Sequence, residues 1–413
     1  MDKKFSIRQV AAIVMTAVVI TACLTVMTLH SLNSIKNRYV ISFDADEISY
    51  ENIRKFNQVR NILKKDYYLE VDENQLIEGA VAGLAESLND PYTVYFDKDR
   101  MKSFLEKSEG SYVGIGVTVN VDEKGLLTVI EPGEDSPAAE AGMKKGDKIV
   151  KVGDTDVTAI SDENMVISMI KGTENTKVKI TVYRPDEDIY RQFEITRRRI
   201  KASNIKSEII EGDIGYIKLV MFDNEIANYF KGHLNKLIQN GIHGLVIDLR
   251  DNPGGSYEQV VEIADALLPE GTIVYTENRE GKREYKNSNK AHFDLPLAIL
   301  TNGNSASASE ILAGAVKDHG RGTLVGTKTF GKGLVQELKI LEDNSGIKVT
   351  ISRYFTPSGV CIHGTGISPD IEVDVMSDYR SLPASQIPRA RDIQLQSAIE
   401  AVKGKIEVKR IKG

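Results

Sequence analysis

Cysteine is nearly absent: the 413 residues hold two, Cys23 in an N-terminal apolar run and Cys361 far downstream. No disulfide framework and no Cys-x-x-Cys metal site can be built from them. The six histidines are scattered, without HExxH or His-x-His spacing, so neither a metal centre nor any other cofactor is expected. Charge of one sign is also lacking, with 53 Lys and Arg against 59 Asp and Glu and a net charge of −6. Nothing resembles a basic binding face, which argues against nucleic acid as the main partner. There is no internal repeat and no low-complexity tract. What is present is 41% apolar and 27% charged residues, an ordinary folded composition, over a length sufficient for two or three domains.

The N-terminus carries an address. Lys3, Lys4 and Arg8 precede an uncharged apolar stretch from Val10 to Leu29. Twenty helical residues rise about 30 Å, enough to cross a bilayer. No clear Ala-x-Ala exit is visible. Ile20-Thr21-Ala22-Cys23 resembles a lipoprotein box, yet the apolar run continues for six residues beyond the cysteine. The expectation is an uncleaved signal anchor over 1–36 with a cytoplasmic N-terminus, lipidation being the alternative. The rest of the chain would then work outside the cytoplasm, as a single-pass membrane protein.

Beyond the anchor the texture changes three times. Residues 37–108 read as mostly helical, with apolar spacing in Leu76, Ile77, Ala80, Val81, Leu84 and Leu88 and a break at Asn89-Asp90-Pro91. Residues 109–199 are β-rich, with short runs at 114–120, 126–131, 148–152 and 178–184 and two short helices over 136–141 and 162–170. From residue 200 to about 375 strands and helices alternate: 214–220, 224–240, 245–250, 257–268, 297–301 and 307–318, closed by a hairpin of 334–341 with 347–355. That alternation predicts an α/β core, and the whole a multidomain α/β (α+β) protein with a C-terminal segment over 376–413.

Gly114-Ile115-Gly116-Val117 is a loop whose successive N–H groups can hold a peptide's terminal carboxylate, while the strand that follows pairs with the peptide by β-augmentation. With Ser136-Pro137-Ala138-Ala139 and Gly146-Asp147-Lys148-Ile149, this stretch resembles a PDZ domain. Met165, Val166, Met169 and Ile170 would line its side-chain pocket, although each methionine is as readily explained as core.

The chemistry concentrates later in the chain. Ser307-x-x-Glu310 matches a capping box before Ile311-Leu312-Ala313, an ordinary structural role. A serine at a helix N-terminus nevertheless sits beside free N–H groups that stabilise negative charge, and Ala306 and Ala308 leave room for a substrate backbone. Ser305 and Ser309 compete with it for the nucleophile's role. Gly326-x-x-x-x-Gly331-Lys332 nearly matches a phosphate-binding loop, but Gly333 replaces the required Ser or Thr and a strand follows instead of a helix. Lys332 can instead act as a general base if burial among Phe330, Leu334 and the glycines lowers its pKa far below the ordinary value near 10.4. Gln336, an even number of residues further along a strand, would face the same side and orient the amine. Asp251-Asn252-Pro253-Gly254-Gly255 ends a buried strand in a tight turn. There Gly254 or Gly255 can supply a backbone N–H beside that of Ala308, making an oxyanion hole. His319 lies over three helical turns from Ser307, so a local histidine triad is not expected.

Taken together, the anchor, the helical segment, the PDZ-like module, residues 251–255, 305–310 and 330–333, and Gly366-Ile367-Ser368-Pro369-Asp370-Ile371 resemble the bacterial carboxy-terminal processing peptidases, in the family's order. The resemblance implies a serine endopeptidase with a crotonase-like core and an inserted PDZ domain, acting on proteins with apolar C-termini. It makes Ser307 the nucleophile, Lys332 the base and Gln336 its partner, and it allows a homodimer through helical segments at both ends. Two other readings are a non-catalytic PDZ scaffold at the membrane and a crotonase-like acyl-CoA enzyme.

Overall fold

Aliphatic β-branched runs alternating with amphipathic helices build the part of the chain that carries the site. In the computed structural model, which describes residues 7–36, 49–122, 125–160, 162–201, 203–290, 292–380 and 382–412, these runs form a six-stranded sheet. Its strands lie in the order Ile205–Ile210, Ile214–Leu219, Gly244–Asp248, Leu297–Thr301, Thr323–Gly326, Ile371–Glu372. The first pair is antiparallel and all the others are parallel. Strands Gly244–Asp248 and Leu297–Thr301 are buried at every position, as parallel strands covered on both faces must be. Helices Ile226–Gln239, Tyr257–Leu267 and Ala308–Asp318 contribute Phe230, Ile263 and Leu312 to the core on one face. The C-terminal helix Ile393–Lys412 packs Leu395, Ile399 and Val402 on the other.

A second, antiparallel sheet stands beside the first and is built around the long strand Gly346–Phe355, which pairs with Val94–Phe96, Gly271–Asn278 and Leu334–Ile340. The expected hairpin of the last two long strands forms. The β-rich module folds around its own core of Ile115, Val129, Ile149, Val166, Ile180 and Val182. Strands Ser111–Gly114 and Arg198–Lys201 pair antiparallel where the chain enters and leaves this module, so it sits as an insertion.

By its contacts the chain divides into two units, one up to Gly79 and one over Ala80–Gly413, so the helical region expected over 37–108 is shared between them. In the first unit, Ile7–Lys36 is helical over 30 residues, while Lys3, Lys4 and the beginning of the region expected from residue 37 lie outside the described residues. The uncharged run Val10–Leu29 falls inside this helix, but side chains are described without a break only over 14–28. Among the described residues no helix is long and apolar enough to cross a membrane. The expected transmembrane span therefore gains no support from the structure.

A buried ion cluster fixes the end of the central strand. Arg250, 2% exposed, reaches Asp248 Oδ2 at 2.7 Å and Asp392 Oδ1 at 2.8 Å, and its Nη1 also donates to Gln394. Lys218 adds a 3.1 Å contact to Asp248. The cluster ties the turn after residue 250 to the start of the C-terminal helix. Removing one member of a buried pair strands the other without its solvent. Arg250→Met is expected to lower stability by about 3–5 kcal/mol in denaturant unfolding, with the helix over 393–412 losing amide-exchange protection.

Candidate active site

Strand Leu297–Thr301 delivers the chain into a tight turn, and helix Ala308–Asp318 starts directly after Ser307. Ser307 has φ 55° and ψ −114°, a conformation that L-residues rarely adopt. Two neighbouring serines hold the turn in place. Ser305 Oγ donates to Leu249 O at 2.8 Å and Ser309 Oγ to Asn252 O at 3.0 Å, and both residues are fully buried. Of the three candidate nucleophiles only Ser307 lines the cleft of about 480 Å³ that opens here; Lys332, Gln336, Gly254, Gly255 and Ala308 line it too.

Glu310 joins the serine turn to the lysine loop. It is fully buried, and its carboxylate accepts four hydrogen bonds: Ser307 N at 2.9 Å and Lys332 N at 2.8 Å on Oε2, Gly331 N at 2.7 Å and Thr329 Oγ1 at 2.6 Å on Oε1. Because Ser307 N and Lys332 N meet one oxygen at 2.9 and 2.8 Å, these nitrogens are at most 5.7 Å apart. The sequence pattern makes Glu310 a helix cap. It does reach back to the Ser307 amide, but two of its other donors come from the glycine-flanked loop. In return, Glu310 N donates to the Ser307 carbonyl at 2.8 Å.

The Lys332 amine lies 4.6 Å from the centroid of the Tyr92 ring. Phe330, expected to help dehydrate it, is 58% exposed and does not; Tyr92, next to the Asn89-Asp90-Pro91 break, covers it instead. Burial lowers the Lys332 pKa and the nearby Lys348 cation lowers it further, against weaker opposing attraction from Asp90 and Glu310. Tyr354, 1% exposed, donates its hydroxyl to the Lys332 carbonyl and meets the Ser307 side chain. Burial pushes the Tyr354 phenol well above its ordinary pKa, so it stays protonated. Neither tyrosine stands out in the sequence, since Tyr92 meets Lys332 from far along the chain and Tyr354 meets it from the neighbouring strand. No hydrogen bond joins Ser307 to Lys332 among the described contacts.

Gln336 lines the same cleft for a different reason from the one expected. The strand begins at Leu334, two residues after Lys332, so alternation counted from Lys332 does not apply, and the register shift places its extra residue at Ile351 of the partner strand. The Gln336 amide donates to Leu334 O at 3.1 Å and not to Lys332.

Across the cleft, Asn252 shapes the glycine turn. Its side chain donates to Leu219 O at 3.0 Å and accepts Gly254 N at 2.9 Å. A Cβ on Gly254 would fall 2.8 Å from Ser307 Cβ and 2.9 Å from Ala308 N, and the residue has φ +99°, so only glycine fits. With the Gly254 amide engaged, the Gly255 and Ala308 amides are the ones near Ser307 with no backbone or side-chain acceptor among the described bonds.

The residues expected to bind peptide lie in the β-rich module and not around the cleft. Gly114 pairs with Arg198, Gly116 has φ +74°, and Val117 opens the next strand. Ile115 is 1% exposed, so it offers backbone only. On helix Glu163–Ile170, Met165 is 54% exposed while Met169 packs against the module's core. Among the described histidines, none lines the cleft; His319 Nε2 instead contacts Thr272 O at 2.8 Å.

Comparison with known proteins agrees with this layout. Residues 213–373 match Peptidase family S41, residues 113–195 the PDZ domain, and residues 18–100 the activating protease CtpB N-terminal domain. A carboxy-terminal-processing protease of Bartonella bacilliformis is 34% identical over 81% of this chain and 78% of its own. The carboxy-terminal processing protease CtpA of Bacillus subtilis is 34% identical over 80% of this chain and 70% of its own. A solved structure from Bacteroides fragilis, assigned to the S41 proteases, covers 89% of this chain and 99% of that one with a TM-score of 0.52; at 16% identity it shares the fold.

The Glu310 clamp makes its own prediction. Glu310→Gln replaces one acceptor oxygen by a donor and leaves buried N–H groups facing it, at a cost of about 2–3 kcal/mol. Amide exchange at Gly331 and Lys332 should accelerate while the β-rich module is unaffected. Unchanged protection of those two amides would show that the loop does not depend on the carboxylate.

Proposed function

This chain belongs to the carboxy-terminal processing proteases, serine-type peptidases that combine an S41 domain with a PDZ domain; from that premise we propose that Ser307, Lys332 and Gln336 form its catalytic group. The observation that carries the proposal is the shared carboxylate of Glu310, which keeps the serine turn and the lysine loop within 5.7 Å at their backbone nitrogens. Rotation about the Lys332 side chain brings its amine from the Tyr92 ring to the Ser307 hydroxyl. A lysine whose pKa is lowered by burial and by Lys348 is poised to be the base.

In the proposed cycle, neutral Lys332 takes the Ser307 proton as the hydroxyl attacks the scissile carbonyl. The amides of Ala308 and Gly255 receive the tetrahedral oxygen, Gly255 being favoured over Gly254 because the latter is held by Asn252. Protonated Lys332 gives its proton to the leaving amine, and water then hydrolyses the acyl-enzyme. Gln336 orients the amine without adding charge, after leaving the Leu334 carbonyl. Tyr354 holds Ser307 in the resting state.

The wider reading follows the same order. The Gly114–Val117 loop captures an apolar substrate C-terminus, with Met165 and Met169 along the side-chain groove, and leads the chain to the cleft for cutting near its end. The core is crotonase-like, bounded at about 200 and 375, with the PDZ domain over 109–199 and a helical region before it. The uncharged run Val10–Leu29 supports attachment to the membrane with the catalytic part extracytoplasmic. Helical segments at both ends are suited to a homodimer.

Cleavage of an unstructured protein tests the assignment. Ser307→Ala and Lys332→Ala should lose activity by at least about a thousandfold and Gln336→Ala about tenfold, while Ser305→Ala should report mainly a stability loss. Undiminished proteolysis by Lys332→Ala would overturn the base. Because the base acts deprotonated, kcat/KM should rise with pH through a pKa below that of free lysine. Lys348→Met, which removes the neighbouring cation, should move that rise to higher pH.

A further inference from the structure

The cleft contains a second lysine that the proposed cycle does not use as acid or base. Lys348 lies on strand Gly346–Phe355 and lines the cleft together with Ser307. Its amine sits 5.7 Å from the centroid of the Phe96 ring and 5.4 Å from that of Phe104, two rings stacked at 5.0 Å, and Phe104 itself lines the cleft. Among the described residues no ion pair or side-chain hydrogen bond reaches this amine. Asp90 attracts it only from a distance, and that carboxylate is already engaged by Thr93 Oγ1 at 2.7 Å and Tyr92 N at 3.0 Å. A half-buried lysine with an apolar cover over its stem and no counter-charge is a site for an anion, and an arriving carboxylate would favour its ammonium form.

We infer that Lys348 is a specificity-determining residue that receives a carboxylate of the peptide substrate at a subsite removed from the scissile bond. This inference rests on the peptidase reading above. Lys348 and Tyr354 are six residues apart on one strand and both line the cleft, with backbones up to about 20 Å apart, the extra residue Ile351 shortening the span. Tyr354 reaches Ser307, and the lysine side chain closes part of the remaining gap. An extended substrate of about 3.3 Å per residue therefore meets Lys348 a few residues from the bond that is cut. The aromatic pair excludes water from one side of the amine, which makes a charged contact there stronger than one at an open rim. The carboxylate is that of an acidic side chain or, in a peptide whose end is not held by the Gly114–Val117 loop, that of the free C-terminus.

The full chain and a set of fluorogenic peptides provide the test, with Asp or Asn placed at each position two to six residues from the cleaved bond and each peptide made as free acid and as terminal amide. At one position Asp should be favoured over Asn by about tenfold in kcat/KM, carried by KM. Lys348→Met should bring that ratio near one, Lys348→Arg should retain it, and Lys348→Glu should favour Lys at that position. A gain that follows the free terminus instead of the Asp side chain identifies the C-terminal carboxylate as the group bound. The same ratio in wild type and Lys348→Met, or no gain from either carboxylate, overturns the inference. Fluorescence anisotropy of the labelled peptides on Ser307→Ala repeats the comparison without turnover. Absence of any Ser307-dependent cleavage would defeat the peptidase reading, while this binding arm would still judge Lys348.

Discussion

One carboxylate with four donors organises the cleft. Glu310 is fully buried, and a buried charge persists only where hydrogen bonds replace its water. Here the replacements come from Ser307, Thr329, Gly331 and Lys332. The carboxylate thus makes its own stability conditional on the closeness of two loops that are distant in sequence. It also helps to hold Ser307 at a positive φ that an isolated turn would leave. Beneath it, the Arg250 cluster anchors the end of the central strand to residues 392–394, so the glycine turn has a fixed base.

The electrostatics of the cleft follow from this framework. Burial and Lys348 lower the Lys332 pKa while Asp90 and Glu310 raise it, and the net direction is downward. The carboxylate's four hydrogen bonds spread its charge over donors, which weakens its hold on the nearby amine. Tyr92 gives the amine a resting place with a ring face as its partner, a contact that is much weaker than an ion pair and easily exchanged for a hydroxyl. A resting contact of this kind leaves the proposed base free to move toward the proposed nucleophile.

Legibility varied with the range of the interaction. The elements over 148–152, 214–219, 257–267, 297–301 and 308–318 were readable because their apolar periodicity and their breakers are local. Strands such as Gly271–Asn278, Arg283–Ser288 and Thr323–Gly326 were not singled out, since each is short or only partly apolar and gains its order from the strand beside it. Gln336 lines the cleft although Lys332 lies outside the strand, so alternation between the two is not what puts it there. Phe330 shows the reverse, an apolar residue next to the lysine whose side chain turns to solvent.

The sequence by itself determined the order of the parts, the chemical types at the cleft and the glycines that permit close approach at residue 254. Ser305, Ser307 and Ser309 share one local pattern, and it is the family resemblance that points to Ser307. The tertiary structure adds that Ser305 and Ser309 are engaged with Leu249 and Asn252, more than fifty residues earlier, while Ser307 lines the cleft. It likewise supplied Tyr92, Lys348 and Tyr354 as the surroundings of Lys332. Burial and charge proximity are properties of space, and a chain encodes them only through the contacts that folding brings together.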